Sequence, residues 1–120
     1  MRLLVCGGRD YADERHVFVV LDAVHTETPI TAVIEGGARG ADTLARRWAE
    51  AAGIPVEEYP ADWRTFGRSA GHVRNARMLR EGRPDRVVAF PGGRGTTNMV
   101  ALTRQAGIPV VEVRAPAIPL

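Results

Sequence analysis

Three glycine-rich segments, each carrying an arginine, hold the residue types that handle anions. They read Gly7-Gly8-Arg9-Asp10-Tyr11, Glu35-Gly36-Gly37-Ala38-Arg39-Gly40-Ala41-Asp42 and Pro91-Gly92-Gly93-Arg94-Gly95-Thr96-Thr97-Asn98. Glycine permits positive φ and lets a ligand approach main-chain N–H groups closely. A guanidinium matches a phosphate through parallel donors. The second and third segments run directly into helical patterns, and a helix N-terminus presents unsatisfied N–H groups and about half a positive charge. The third offers Thr96 or Thr97 as N-cap, and no acid follows in its first turn. That positive end is left for an external anion. In the second, Asp42 lies in the first turn, where it either caps the helix or hydrogen-bonds a ribose or base.

A fourth segment adds to these. Arg68, Gly71, Arg74, Asn75 and Met78 recur at three- and four-residue spacing and share one helical face. Arg74 and Asn75 are expected to project toward the glycine segments, with Val73, Ala76 and Leu79 or Arg80 turned to the core. Trp63 and Phe66 lie in the preceding connector, where either stacks on a base or packs over a sheet edge or subunit interface.

The elements that must position these groups are legible as alternating patterns. Leu3 to Cys6, Ala32 to Ile34, Val87 to Phe90 and Val110 to Val113 are short apolar runs, and Val56 to Tyr59 is a weaker fifth. Runs without alternation suit strands covered on both faces. Between them, Val17, Val20, Leu21 and Val24 make one helical stripe, with Asp13 and Glu14 at its start. Ala41, Leu44, Ala45, Trp48, Ala49 and Ala52 make a second, stopped by Gly53. A third runs from about Ser69 to Glu81, ahead of Gly82 and Pro84, and a fourth from near Thr96 to Gly107. Strand alternating with helix predicts an α/β fold: a single Rossmann-like three-layer domain over 1–114, its sheet mainly parallel, five-stranded and ordered 3-2-1-4-5, with helices on both faces. A tail, 115–120, follows. The three glycine segments then follow neighbouring strands, at the switch point where open sheets bind ligands. Three guanidinium groups crowded there would repel one another unless an anion joined them.

Composition narrows the function. The chain has 120 residues, 45% hydrophobic and 25% charged, with a net charge of +2. That balance fits one soluble domain and not a protein that coats polyanions. No apolar run approaches the roughly 20 residues that span a bilayer, and the N-terminus does not read as a signal peptide. Cys6 is the single cysteine; in an apolar run it reads as a buried small hydrophobe. A cytoplasmic location is expected. All 16 basic positions are arginine, so there is no Walker lysine for P-loop phosphoryl transfer. No Gly-x-Ser-x-Gly elbow occurs. His16, His25 and His72 are read on different elements, giving no metal constellation. Neither metal nor cofactor is expected.

Taken in order, Gly-Gly-Arg-Asp-Tyr, Glu-Gly-Gly-Ala-Arg-Gly-Ala-Asp, Arg-Asn-Ala-Arg-Met and Pro-Gly-Gly-Arg-Gly-Thr resemble the SLOG superfamily, most closely its YspA/YpsA-related branch. The resemblance covers Arg2 to about Val113. It implies a Rossmann-like fold that binds nucleotides or nucleotide-like ligands at these loops. Relatives in the superfamily include the Lonely Guy phosphoribohydrolases, molybdenum-cofactor carriers and the DprA proteins that act on single-stranded DNA. On this resemblance Gly92, Gly93, Arg94, Gly95, Thr96, Thr97 and Arg74 hold phosphate. Gly7, Gly8, Arg9, Tyr11, Gly36, Gly37, Arg39, Asp42 and Asn75 surround the rest of the ligand.

One position departs from the pattern. The Lonely Guy motif Pro-Gly-Gly-x-Gly-Thr-x-x-Glu is matched at Pro91, Gly92, Gly93, Gly95 and Thr96, but Met99 stands at the catalytic glutamate. Arg74 matches that glutamate's arginine partner. A thioether neither stabilises an oxocarbenium charge nor acts as a base. The expectation is therefore binding or sensing of a phosphate-bearing nucleotide. The first alternative is an N-glycosidase using another carboxylate, Asp10, Glu35 or Asp42. The second is single-stranded DNA binding, against which the modest net charge counts. A homo-oligomer is the expected assembly.

Overall fold

The computed structural model describes residues 1–114; the expected tail, 115–120, lies outside the described residues. Five strands form one sheet: β1 (Arg2–Cys6), β2 (Ala32–Glu35), β3 (Val56–Glu58), β4 (Arg86–Ala89) and β5 (Val110–Glu112). Their order is β3-β2-β1-β4-β5, as expected, and all four pairings are parallel. Leu3 pairs with Val33 on one side of β1, and Leu4 with Val87 on the other.

Alternate strand residues point to opposite faces and build two apolar layers. Leu3, Val5, Val33, Val88 and Phe90 face α1 (Glu14–Glu27) and α2 (Ala41–Ala52), meeting Val17, Leu21, Leu44 and Trp48. Leu4, Cys6, Ile34, Val87 and Ala89 face α4 (Ala70–Gly82) and α5 (Arg94–Gln105), meeting Met78, Met99 and Val100. The central strands β1, β2 and β4 are mostly apolar because both faces are covered, and Leu3, Leu4 and Val5 have no exposed surface, whereas the edge strands β3 and β5 carry exposed Glu58 and Glu112.

Local signals explain most helix ends. Asp13 caps α1 by accepting from the His16 N–H at 3.0 Å. Gly53 closes α2 at φ 71°. The Trp48 indole donates to Asp22 at 2.8 Å and joins α1 to α2. His16 and His25 both sit on α1, not on different elements.

Further differences from the sequence reading follow from local contacts. The connector at 62–67 contains a short helix, α3 (Trp63–Phe66), because Asp62 caps it through the Thr65 N–H at 3.0 Å. A 3-10 turn, Gly67–Ser69, leads from it into α4. Helix α4 continues through Gly82, which is buried because a Cβ there would meet Ile34 Cγ2 at 3.2 Å. The buried face of α4 carries Ala70, Asn75 and Met78, so Val73 is left exposed instead of facing the core. Helix α5 begins at Arg94, with Gly93 as N-cap. Thr96 and Thr97 therefore lie inside the first turn, and the Thr97 hydroxyl bonds back to the Gly93 carbonyl at 3.1 Å.

Candidate functional site

The loops after β1, β2 and β4 meet at the carboxyl edge of the sheet, and the backbone of Gly8 joins all three. Its N–H donates to the Pro91 carbonyl at 2.9 Å, and its carbonyl accepts from the Ala41 N–H at 3.1 Å. The approach is too close for side chains. A Cβ on Gly8 would lie 2.9 Å from the Pro91 carbonyl oxygen, and one on Gly92 2.2 Å from Thr96 Oγ1 and 2.7 Å from Gly8 N.

Above this junction lies a cleft of about 560 Å³. Gly7, Gly8 and Arg9 border it from the loop after β1, Ala38 and Asp42 from the β2 side, and Trp63 from α3. Arg68 of the 3-10 turn, with Gly71, His72, Arg74, Asn75 and Met78 of α4, forms one wall; Gly93, Arg94, Gly95 and Thr96 form another at the start of α5. A recess of about 460 Å³ adjoins it, lined by Gly36, Gly37, Arg39, Pro60 and Ala61, and sharing Arg9, Ala38, Trp63 and Arg74 with the cleft. Sequence spacing thus brings Arg9, Arg74 and the 93–96 turn to one place. Arg68 and His72, which were not assigned to the site, belong to the same wall; the helical spacing of 68, 71, 74, 75 and 78 carried that signal for Arg68 but not for His72.

Other expected site residues sit elsewhere. Tyr11 packs on Phe90 with ring centroids 5.4 Å apart and borders a separate shallow recess. Arg39 is outside the cleft but lines the adjoining recess, and it pairs with Asp10 at 3.2 Å in an exposed ion pair. Thr97 is outside the cleft lining, and Gly92 lies beneath it as a spacer against Gly8. Phe66 is exposed and borders neither cavity.

Arg74 is the centre of the polar network. It donates through Nη1 to the Gly36 carbonyl at 2.7 Å and through Nε to Asn75 Oδ1 at 3.0 Å. The buried Asn75 amide in turn donates to the Gly95 carbonyl and to Asn98 Oδ1, both at 3.0 Å. This chain ties the loop after β2 to the first turn of α5. Burial pulls the Arg74 pKa below its ordinary value, against the opposing pull of Asp42. Arg9 lies over the Trp63 ring, 4.9 Å from its centroid.

Asp42 is buried and accepts from the Ala38 N–H at 3.2 Å. It pins the loop after β2 instead of capping α2, whose N-cap is Gly40. Desolvation pushes its carboxyl up to about 6, against the lowering effects of that hydrogen bond and of Arg74. Glu35 is 1% exposed and lies outside the cleft lining. Its Oε2 accepts from the Gly37 N–H at 2.7 Å, while Oε1 has no partner. Burial raises Glu35 to about 7 and the Cys6 thiol to about 12, which makes Cys6 an inert wall.

Of the three carboxylates left open by the sequence, Asp42 alone borders the cleft. Met99 has no exposed surface and packs with Leu4, Cys6, Ile34 and Met78. Helix α5 has neither a side-chain cap nor an acid in its first turn. Chemically, the cleft offers cationic donors and free helix-end N–H groups in abundance, with little to act as a base.

The family described as "YspA, cpYpsA-related SLOG family" matches residues 1–66, which hold the loops after β1 and β2. The Gene 61 protein of Mycobacterium phage D29 is 40% identical over 119 residues, covering 92% of this chain and 94% of that protein. No helix among the described residues is long and apolar enough to cross a membrane.

Proposed function

The chain belongs to the YspA, cpYpsA-related SLOG family, and on that premise we propose that it binds or senses a phosphate-bearing nucleotide, or a nucleotide-derived ligand, in the cleft at the carboxyl edge of the sheet. The observation that carries this reading is the convergence of Arg9, Arg74 and Arg94 with the uncapped first turn of α5 on one cavity of nucleotide size. The N–H groups of the 93–96 turn and the Thr96 hydroxyl take a phosphate, assisted by Arg74 and Arg94. The backbone at Gly7 and Gly8, with Arg9, borders the sugar or base on one side, and the loop at 36–38 with Asp42 borders the other.

Binding without turnover is favoured over N-glycoside hydrolysis by two positions. The side chain at Met99 is sealed in the core, and Asp42 is engaged in holding a loop. The test is mass spectrometry of small molecules released from the purified, denatured protein, followed by incubation with a panel of nucleoside monophosphates and dinucleotides. An intact nucleotide recovered and no free base released supports the proposal. Free base released from any of them establishes the hydrolase instead. No nucleotide retained or bound from the panel overturns both.

A further inference from the structure

We infer that the ligand carries a diphosphate, as in a nucleoside diphosphate or a larger molecule built on one. The inference rests on the nucleotide reading above and narrows its class. The cleft and its adjoining recess abut, and both are lined by Arg9, Ala38, Trp63 and Arg74. Within that space the arginines occupy two stations. Arg9 and Arg74 border both cavities, and Arg68 and Arg94 border only the larger one, Arg94 as the first residue of α5. Among the described residues, none of these four has a carboxylate within 4 Å, whereas Arg39, at the far edge, is neutralised by Asp10.

Among the described residues, Asp42 is the only acidic one lining either cavity. A single phosphate carries a charge of about −1.5 to −2 at neutral pH. It engages one station and leaves the other facing uncompensated like charge in a partly desolvated site. A diphosphate reaches both. The Gly93–Thr96 turn with Arg68 and Arg94 then takes the outer phosphate, and Arg74 with Arg9 takes the inner one. The nucleoside extends into the recess bounded by Trp63, Pro60, Ala61 and the loop at 36–38, where Trp63 offers an aromatic wall.

Titration calorimetry on the intact chain tests this, with the mono- and diphosphates of adenosine, guanosine, cytidine and uridine, together with inorganic phosphate and pyrophosphate. The expected result is that at least one nucleoside diphosphate binds about tenfold or more tightly than its monophosphate, as one added charge-assisted contact requires. Arg68→Ala, at an exposed position in the 3-10 turn, is expected to shrink that ratio, and Arg94→Ala likewise. Equal binding of mono- and diphosphates overturns the inference and leaves the nucleotide reading standing. A ratio undiminished in both variants removes the outer station and also overturns it. Pyrophosphate bound with no gain from any nucleoside keeps the diphosphate and rejects the nucleotide. No binding of any probe rejects both.

Discussion

The Arg74 guanidinium donates to the Gly36 carbonyl at 2.7 Å, so a side chain that walls the cleft also fixes the loop after β2. There is no room between them for anything but glycine: a Cβ at Gly36 would lie 2.4 Å from Arg74 Nη1 and 3.0 Å from Asp42 Oδ2. Through Asn75 the same network reaches the Gly95 carbonyl. Two of the loops that form the site are thus held in register by one arginine, and the guanidinium has donors left over for a ligand.

Arg74→Ala is expected to weaken nucleotide binding by a factor of ten or more, equivalent to about 1.5–3 kcal/mol for a charged hydrogen bond. Calorimetry with the ligand recovered from the native protein measures it. Arg74→Lys is expected to restore only part of the loss, because an ammonium lacks the planar fork that holds Gly36 and Asn75 and still leaves a donor for an anion. Unchanged binding by Arg74→Ala would take this residue out of the site.

The glycines of the third segment are expected to behave differently from one another. Gly92→Ala drives a methyl group into Thr96 Oγ1 and Gly8 N and is expected to destabilise the fold by about 1–3 kcal/mol. Nothing lies within 4 Å of a Cβ built on Gly93. Gly93→Ala therefore meets no clash and should lose only what alanine costs at an N-cap, about 1 kcal/mol, while its methyl group crowds a ligand at the α5 terminus and lowers affinity. Urea melts and calorimetry separate the two effects. Gly93→Ala binding as tightly as the native chain would move the phosphate away from that turn.

How much of this was legible in the sequence depended on the length scale of the signal. Unbroken apolar runs such as Leu3 to Cys6 reported strands buried on both faces, and strand–helix alternation reported the sheet order. The spacing of Arg74 from Gly71 and Met78 reported a shared wall. What failed were outcomes set by a single neighbour. Tyr11 packs on Phe90 and borders a separate recess. Val73 is exposed because the sheet selects Asn75 and Met78 from α4. Helix α5 starts at Arg94 because its cap is the bare Gly93 backbone, and no threonine side chain competes for that place.

Glu35 is expected to make stability pH-dependent in the unusual sense for an acid. Its folded value, about 7, lies above the ordinary 4.5 because burial disfavours the carboxylate. The folded chain therefore holds the proton more tightly, and this contribution is present at pH 4.5 and lost as pH rises to 7. Glu35→Gln removes the titration but keeps an acceptor for the Gly37 N–H. Its stability relative to the native chain should rise across that window and level off above it, by an amount on the order of 1–3 kcal/mol. Urea denaturation of both chains from pH 4.5 to 8 follows the difference. A difference constant with pH would mean that Glu35 is charged throughout.

Met99 provides the sharpest test of whether the hydrolytic machinery is missing or merely one substitution away. If the absent glutamate alone separated this chain from a phosphoribohydrolase, Met99→Glu would release base from a bound nucleotide. The geometry argues otherwise. The side chain at 99 lies against Leu4, Cys6, Ile34 and Met78 with no exposed surface, so a carboxylate there has no partner and is driven to the neutral acid. Met99→Glu is expected to lose about 3 kcal/mol or more of stability and to release no base, whereas Met99→Leu, of similar volume, loses under about 1.5 kcal/mol. Thermal melts and chromatography of incubated nucleotides read the two consequences separately. Base release by a Met99→Glu chain of native stability would mean that α5 can turn this position toward the cleft, and that the acid had been withheld by sequence and not by fold.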